Sequence, residues 1–205
     1  MSSSDAQPRA AKKRDYRLGR RAEKQEATRR RIVEAAVDLH SSLGPARTTV
    51  SQIAERAGVQ RHTFYAHFPD ERSLFLACSG LALERDPLPD LAALRALPPG
   101  RERLRLGLAQ FYGWYERNAE QAACVLRDAE HHALTREMVE LRMMPVFMEA
   151  AELLGEGFGE RPRALIAVAL DFACWRTLAR TSTPAAAAGL MSDAVAGLSG
   201  APSAL

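Results

Sequence analysis

Residues 48–75 read TTVSQIAERAGVQRHTFYAHFPDERSLF. The start of this stretch predicts a short helix, because Thr49 and Gln52 are spaced like the two partners of a capping box. Apolar residues then repeat at the helical interval on one face: Val50, Ile53, Ala54 and Ala57. Gly58 ends the predicted helix after about two turns, since glycine readily adopts the left-handed backbone that follows a helix.

A second short helix is predicted directly after the turn, over residues 60–67. Phe64 and Phe68 stand four positions apart and give this helix one apolar face, and Val59 supplies an apolar residue at the turn. Two short helices joined by a tight glycine turn form the helix-turn-helix pattern.

A longer helix is predicted upstream, over residues 21–43. Its apolar residues form one stripe at helical spacing: Ile32, Ala36, Leu39 and Leu43. Gly44 and Pro45 stop it, because proline cannot continue a helix. Residues 1–16 are predicted to be a disordered basic arm, and residues 17–69 a three-helix DNA-binding domain.

Basic charge is concentrated in the first third of the chain. Residues 1–69 contain 14 Lys and Arg against 7 Asp and Glu, a net charge of +7, whereas residues 70–205 contain 14 against 18, a net charge of −4. This asymmetry is typical of a polyanion-binding module, although a solvated basic tail would produce it too. Six basic residues of the N-terminal segment could reach the minor groove or the phosphates of DNA: Lys12, Lys13, Arg14, Arg17, Arg20 and Arg21.

The stretch 48–75 resembles the signature of the Tet repressor (TetR) family nearly position for position, and the likeness extends over residues 29–77. The groups Thr-Thr-Val, Ile-Ala, Ala-Gly-Val, Thr-Phe-Tyr and His-Phe carry it. The resemblance implies an all-α protein with an N-terminal helix-turn-helix domain and a C-terminal helical bundle that binds a ligand and dimerises. It also implies a cytoplasmic transcriptional regulator, typically a ligand-released repressor, that binds a palindromic double-stranded operator as a homodimer and is not an enzyme.

Hydrogen-bond donors open the second helix of the motif. Four side chains there can donate to base edges or phosphates: Gln60, Arg61, His62 and Thr63. The resemblance implies base or backbone contacts for these four and phosphate contacts for Tyr65 and His67. A partly buried core aromatic is the alternative for Tyr65. Thr48 and Thr49, at the start of the motif, complete the predicted DNA-binding set.

Four positions depart from the family pattern. Gln60 stands where serine is usual, His62 where glycine is common, and Glu71 where a phosphate-binding lysine is frequent. His40 replaces a usual core phenylalanine at the end of the first helix, and a satisfied core histidine is favoured there over a sensor. These departures bear on individual DNA contacts and leave the fold expectation unchanged.

Residues 70–205 are predicted to form the ligand-binding and dimerisation domain. Asp70 caps the first of its helices, which should end near Arg85, and Pro145 should kink a later one. The other predicted helices cover residues 101–118, 120–133, 135–154, 161–180 and 184–198.

Aromatic and methionine side chains predict an apolar ligand pocket in this domain. The predicted lining is Phe111, Trp114, Tyr115, Cys124, His131, Met143, Met144, Phe147 and Trp175. Ordinary core packing is the alternative for each of them. The ligand is expected to be small and apolar or aromatic, with a cationic one considered because Glu140 and Glu149 lie on one predicted helix. No cofactor is expected.

The last two helices predict the dimer interface, because they are rich in small residues that allow close helix approach. One face of the first is marked by Ala164, Val168, Phe172 and Trp175. In the family that the chain resembles, the final two helices of each subunit pair into a four-helix bundle.

Other classes of protein find little support. No apolar run reaches the roughly 18 residues that a membrane helix needs, and the polar N-terminus is unlike a secretory signal. Cys78, Cys124 and Cys174 lack the spacing of a disulfide framework or a zinc site, and Cys124 with His131 makes too few metal ligands. The alternatives left open are a helical enzyme using His131 or His132 as a base, and a DNA-organising protein without sequence preference.

Overall fold

The computed structural model describes the backbone of residues 7–199 and the side chains of residues 19–198. Within that range the protein is all-α, which confirms the predicted fold class, and no helix is long and apolar enough to cross a membrane. The helices of the described range are α1 (Gln7–Ser42), α2 (Val50–Arg56), α3 (Arg61–His67), α4 (Glu71–Arg85), α5 (Ala92–Arg95), α6 (Arg101–Arg117), α7 (Ala119–Ala129), α8 (Ala133–Arg142), α9 (Met144–Gly155), α10 (Glu160–Ala169), α11 (Phe172–Leu178) and α12 (Pro184–Ser199).

The helix-turn-helix forms where its capping residues predict it. Thr49 Oγ1 accepts a hydrogen bond from the Gln52 N–H at 3.3 Å, and Gln52 Oε1 accepts one from the Thr49 N–H at 2.8 Å. Gly58, with a φ of 64°, makes the turn between α2 and α3. Asp70 accepts from the Ser73 N–H at 2.7 Å, so α4 begins at the predicted residue.

The first helix begins earlier than its apolar stripe predicts. α1 starts at Gln7, so the prediction of disorder over residues 1–16 is wrong for residues 7–16. This segment is rich in alanine, lysine and arginine, which favour helix, and its proline, Pro8, stands in the first turn, where proline is tolerated. The remainder of the predicted arm, residues 1–6, lies outside the described residues.

Pro145 separates two helices instead of kinking one. α8 ends at Arg142 and α9 begins at Met144, where the sequence predicts one continuous helix. Proline fits the first turn of a helix because the N–H that it lacks has no acceptor there. A new helix therefore begins at Met144, with Pro145 in its first turn.

The predicted helix 161–180 is also broken, at Asp171. The Asp171 Oδ1 atom accepts from the N–H groups of Ala173 at 2.7 Å and Cys174 at 3.3 Å. In a continuous helix these N–H groups would bond to the carbonyls four residues earlier. The aspartate therefore ends α10 and caps α11.

Two tyrosines of α6 stabilise this break. The carbonyls of Ala169 and Leu170 have lost their helical donors, and they accept instead from the hydroxyls of Tyr112 and Tyr115 at 2.8 and 2.7 Å. Burial raises the pKa of both phenols, so the hydroxyls keep their protons and remain donors. The break between α10 and α11 is thus satisfied from a distant part of the chain.

The break divides the predicted apolar face of this segment. Phe172 and Trp175 are buried in the core, whereas Ala164 and Val168 are exposed, Val168 by 54%. α12 is similarly two-sided, because Ala187, Ala188 and Val195 are buried where α12 packs along α6. Leu190, on the same helix, is 55% exposed.

The apolar core has two parts. One lies inside α1–α4, which together are called the helix-turn-helix unit, and it includes Leu74 and Cys78 of α4. The other fills the bundle formed by α5–α12. α1 also packs against α7, and α4 against α8. These contacts place the helix-turn-helix directly against the bundle. The boundary after residue 69 stays a prediction.

Candidate DNA-binding surface and ligand cavities

The candidate DNA-binding surface is the outer face of α3 and the residue that precedes it. Gln60, Arg61 and His62 are exposed, and Thr63 is half-buried with its hydroxyl 3.3 Å from His62 Nε2. Arg61 has no ion pair or hydrogen bond to another side chain in the described part of the protein. Its guanidinium is therefore available to an external acceptor.

The inner face of α3 holds this surface rigidly. Phe64 and Phe68 are 2% and 0% exposed, and the Arg29 guanidinium lies 4.3 Å from the centre of the Phe68 ring. Tyr65 packs edge-on against Phe64 but is 46% exposed, unlike a core aromatic, and His67 is half-buried. Both phosphate-contact candidates thus remain accessible beside the donors.

Thr48 and Thr49 have structural roles in this surface. The Thr48 hydroxyl donates to the carbonyl of Gly44 at 2.8 Å, and the Thr49 hydroxyl donates to Gln52 Oε1 at 2.9 Å. Neither hydroxyl hydrogen is left for a DNA phosphate in this conformation. The two threonines fix the turn before α2 and its first residues.

A buried carboxylate joins the helix-turn-helix unit to the bundle. Asp128, at the end of α7, has a side chain only 1% exposed, and it accepts from the Ala46 N–H at 2.9 Å and from Arg127 Nε at 2.9 Å. Arg127 also donates to the carbonyl of Leu43 at 3.3 Å. Burial acts to raise the Asp128 pKa, but the Ala46 N–H and Arg127 outweigh it, so the pKa lies below its usual range.

The first cavity lies between the two units and measures about 90 Å³. Helices α1 and α4 of the helix-turn-helix unit contribute His40, Phe75 and Cys78 to its wall, and the rest comes chiefly from α6, α7 and α8, including Trp114. Its position means that an occupant would contact both units at once. Arg142 is the one charged side chain of its lining.

His40 is a buried polar side chain of this cavity, at 6% exposure. Its Nδ1 atom lies 3.6 Å from Cys78 Sγ, and its ring stacks at a tilt against Phe75 at 5.0 Å. Burial lowers the His40 pKa to about 4, with a further lowering from His132 and an opposing effect of Asp128. The imidazole is therefore neutral at pH 7. Burial likewise raises the pKa of the Cys78 thiol, to about 12.

A second cavity, of about 300 Å³, adjoins the first. It is lined by methionines and aromatics of α6, α9 and α11, and its one charged lining residue is Asp171. Three apolar side chains line both cavities and form the partition between them: Leu126, Val139 and Met143.

Only some of the nine residues predicted to line a pocket border either cavity. Five predicted residues line one or both of them: Trp114, Tyr115, Met143, Met144 and Phe147. Phe111 and Trp175 are instead core residues, packed 5.0 Å from Phe147 and 5.5 Å from Tyr115. Cys124 lies near the end of α1, 3.9 Å from the Ser42 carbonyl, and His131 is exposed.

The sequence did not predict that α1 and α4 form one wall of the first cavity. A polar histidine at position 40, where the resemblance implies a core phenylalanine, was the one available signal. Within the described residues, no group of three His, Cys, Asp or Glu side chains could hold a metal ion.

Comparison with known sequences places the similarity in the helix-turn-helix. Residues 32–78 match the family model for bacterial regulatory proteins of the tetR family. Over 74 residues the chain is 38% identical to the HTH-type transcriptional regulator SrpR of Pseudomonas putida, and this match covers 35% of each chain. The chain therefore matches about a third of the length of that curated relative.

Comparison with solved structures extends to most of the chain. A TetR-like transcriptional regulator from Rhodococcus sp. RHA1 has a TM-score of 0.58 at 24% identity, covering 85% of this chain and 97% of that one. The regulator FadR from Bacillus subtilis, solved with stearoyl-CoA, has a TM-score of 0.56 at 20% identity, covering 80% and 96%. These likenesses show a shared fold for both units.

Proposed function

We propose that the chain is a member of the tetR family of bacterial regulatory proteins, whose model its residues 32–78 match, and that it is a sequence-specific transcriptional regulator that a small ligand releases from its operator. The observation that carries the proposal is the rigid, exposed row of donors on α3, with an unpartnered Arg61 among them. Such a row suits the major groove, where base edges present acceptors in a sequence-dependent pattern.

We expect Arg61→Ala to weaken operator binding by about 1–3 kcal/mol and to relax the preference at one base position. Tyr65→Phe removes only a candidate phosphate contact, so it should weaken all DNA sites about equally. Selection from random DNA, followed by affinity measurements at fixed salt, would test both. Arg180→Ala changes an exposed arginine far along the chain and is the control. An unchanged base preference in Arg61→Ala would disprove the base contact.

The regulator is proposed to act as a homodimer on a palindromic operator. One helix-turn-helix makes few contacts, and a symmetric pair would place two α3 helices about 34–36 Å apart, one turn of DNA. Val168 and Leu190 are large apolar side chains exposed on α10 and α12, two helices that pack together, and they support an interface at this place.

We expect Val168→Glu combined with Leu190→Glu to produce a monomer, because two-fold symmetry would bury each new charge twice. Deleting the last helices is a poorer test, since α12 also covers α6. Light scattering at micromolar concentration would measure the mass, and Leu141→Glu, at another exposed leucine on α8, is the control. A double variant that stays dimeric would place the interface elsewhere.

Release from DNA requires a ligand that favours one arrangement of the two units. The first cavity supports such a mechanism, because α4 runs from Asp70 beside α3 to Phe75 and Cys78 in the cavity wall. Typical coupling of about 1–3 kcal/mol would weaken operator binding some 5–150-fold. Operator DNA should weaken ligand binding by the same factor, which calorimetry with and without operator would measure.

The two alternatives make different demands. A helical enzyme would need a catalytic base in a cavity, whereas His131 is exposed and His132 is held by Thr135 at 2.7 Å. A DNA-organising protein would bind without preference and ignore ligands. A footprint on the DNA upstream of the protein's own gene would distinguish a cytoplasmic regulator from either.

A further inference from the structure

The hydrogen-bond state of His40 identifies where a ligand would be held. Its Nδ1 atom is engaged by Cys78, but Nε2 has no partner among the described residues. Among the described residues that are not exposed, every side-chain nitrogen or oxygen atom that is itself fully buried has a hydrogen-bond partner. The Nε2 atom must therefore be reachable from open space, and the first cavity is the opening that borders this ring.

The charges around both cavities favour some head groups over others. The first cavity has no carboxylate in its lining, and its one charged group is the Arg142 guanidinium. In the second, the Asp171 carboxylate accepts at Oδ1 from the N–H groups of Ala173 and Cys174 and keeps its negative charge. A cationic head beside His40 would therefore share the first cavity with the Arg142 guanidinium and with no carboxylate, which is costly. This argues against the cationic ligand that Glu140 and Glu149 suggested, since neither lines a cavity.

Size argues for a ligand that uses both cavities. The first, at about 90 Å³, is smaller than the roughly 150 Å³ that holds a benzene molecule. The second, at about 300 Å³, is in the range of ordinary ligand sites. Met143 is part of the partition between them, and methionine is unbranched and adaptable, so the partition can yield to a chain of methylene groups.

The geometry points to an amphiphile as the ligand: a molecule with one uncharged or anionic oxygen-bearing head that hydrogen-bonds to His40 Nε2, and an apolar body that passes Met143 into the second cavity. A hydroxyl or carboxylic acid suits a neutral imidazole, which offers one donor or acceptor at that atom. Arg142, at the same cavity, adds attraction for a carboxylate. This inference rests on the proposed function, in which the cavity holds the effector.

Three probes with the same ten-carbon chain test the head group: decanoate, 1-decanol and decyltrimethylammonium, each below its micelle concentration. Binding to the full chain would be followed by calorimetry and by tryptophan fluorescence, to which Trp114 in the lining of the first cavity contributes. We expect decanoate and 1-decanol to bind at least tenfold more tightly than the cation. Equal binding of all three, or a preference for the cation, would overturn the inference.

Two variants locate the head. His40→Leu should weaken decanoate and 1-decanol by about tenfold each, and Arg142→Gln should weaken decanoate alone. If a folded His40→Leu protein binds decanoate and 1-decanol as tightly as the wild type, the head group does not bind to His40. If that variant fails to fold, the ranking of the three probes on the wild-type protein decides. Operator binding is measured separately. DNA binding without any probe binding would refute this inference alone, and probe binding without DNA preference would refute the proposed function.

Discussion

Gly44→Ala is expected to lower the free energy of unfolding by about 2–5 kcal/mol, through strain and overpacking together. Gly44 has a φ of 95° and a ψ of 151°, a region of backbone space that is almost restricted to glycine. A Cβ atom there would also overlap the Asp128 carboxylate and the Arg127 guanidinium. Urea unfolding would measure the loss. Gly113→Ala, inside α6 with only an ordinary contact to Arg117, is the control and should be neutral or stabilising.

A double-mutant cycle with Asp128→Ala separates the strain of Gly44→Ala from the overlap. Asp128→Ala alone leaves the Ala46 N–H without its acceptor and should cost about 1–3 kcal/mol. In the double variant the carboxylate that the new Cβ atom would overlap is gone. The loss of unfolding free energy in the double variant should therefore be smaller than the sum of the losses in the two single variants. Strict additivity would show that Gly44 and Asp128 do not meet as the structure places them.

The same variants bear on regulation, because Asp128 joins the bundle to the helix-turn-helix. If ligand-induced release depends on this contact, a folded Asp128→Ala protein should bind operator but respond less to an effector. The α4 helix would then be one of two connections between the cavity and α3. The coupling between the cavity and α3 would then be shared by α4 and the Asp128 contact, and would not depend on α4 alone.

The parts of the fold that could be predicted from sequence depend on local interactions. Thr49 with Gln52, and Asp70 with Ser73, satisfy N–H groups within three residues, so the starts of α2 and α4 follow from spacing alone. Asp171 also caps nearby N–H groups, those of Ala173 and Cys174, but the break there could not be predicted from this cap alone. It depends on Tyr112 and Tyr115, which lie more than 50 residues away and supply the missing donors.

The cavity lining was only partly predictable for a related reason. Phe111 and Phe147 are both apolar aromatics of the bundle, but only Phe147 borders open space. Composition at helical spacing cannot separate them, since core and lining use the same residue types. Whether a side chain borders a cavity is decided by how well its distant neighbours fill the space around it.

Acid is expected to destabilise the protein through His40. Its pKa is about 4 in the folded protein against an ordinary value of 6.5, so at pH values between these the unfolded chain binds a proton that the folded chain excludes. Stability contributed by the neutral ring is complete above pH 6.5 and is lost as the pH falls toward 4. The full loss is roughly 3 kcal/mol, from about 1.4 kcal/mol for each pKa unit.

His40→Phe should remove this dependence, because phenylalanine has no proton to exclude and keeps a ring against Phe75. Urea unfolding at several pH values would give the difference between wild type and variant, and His131→Gln, at an exposed histidine, is the control. Asp128, whose folded pKa lies below its usual range, acts in the same direction but at lower pH, while His132 and Cys78 are the other titratable groups beside the ring. A wild-type slope that persists in His40→Phe between pH 6.5 and 4 would mean that another group carries it.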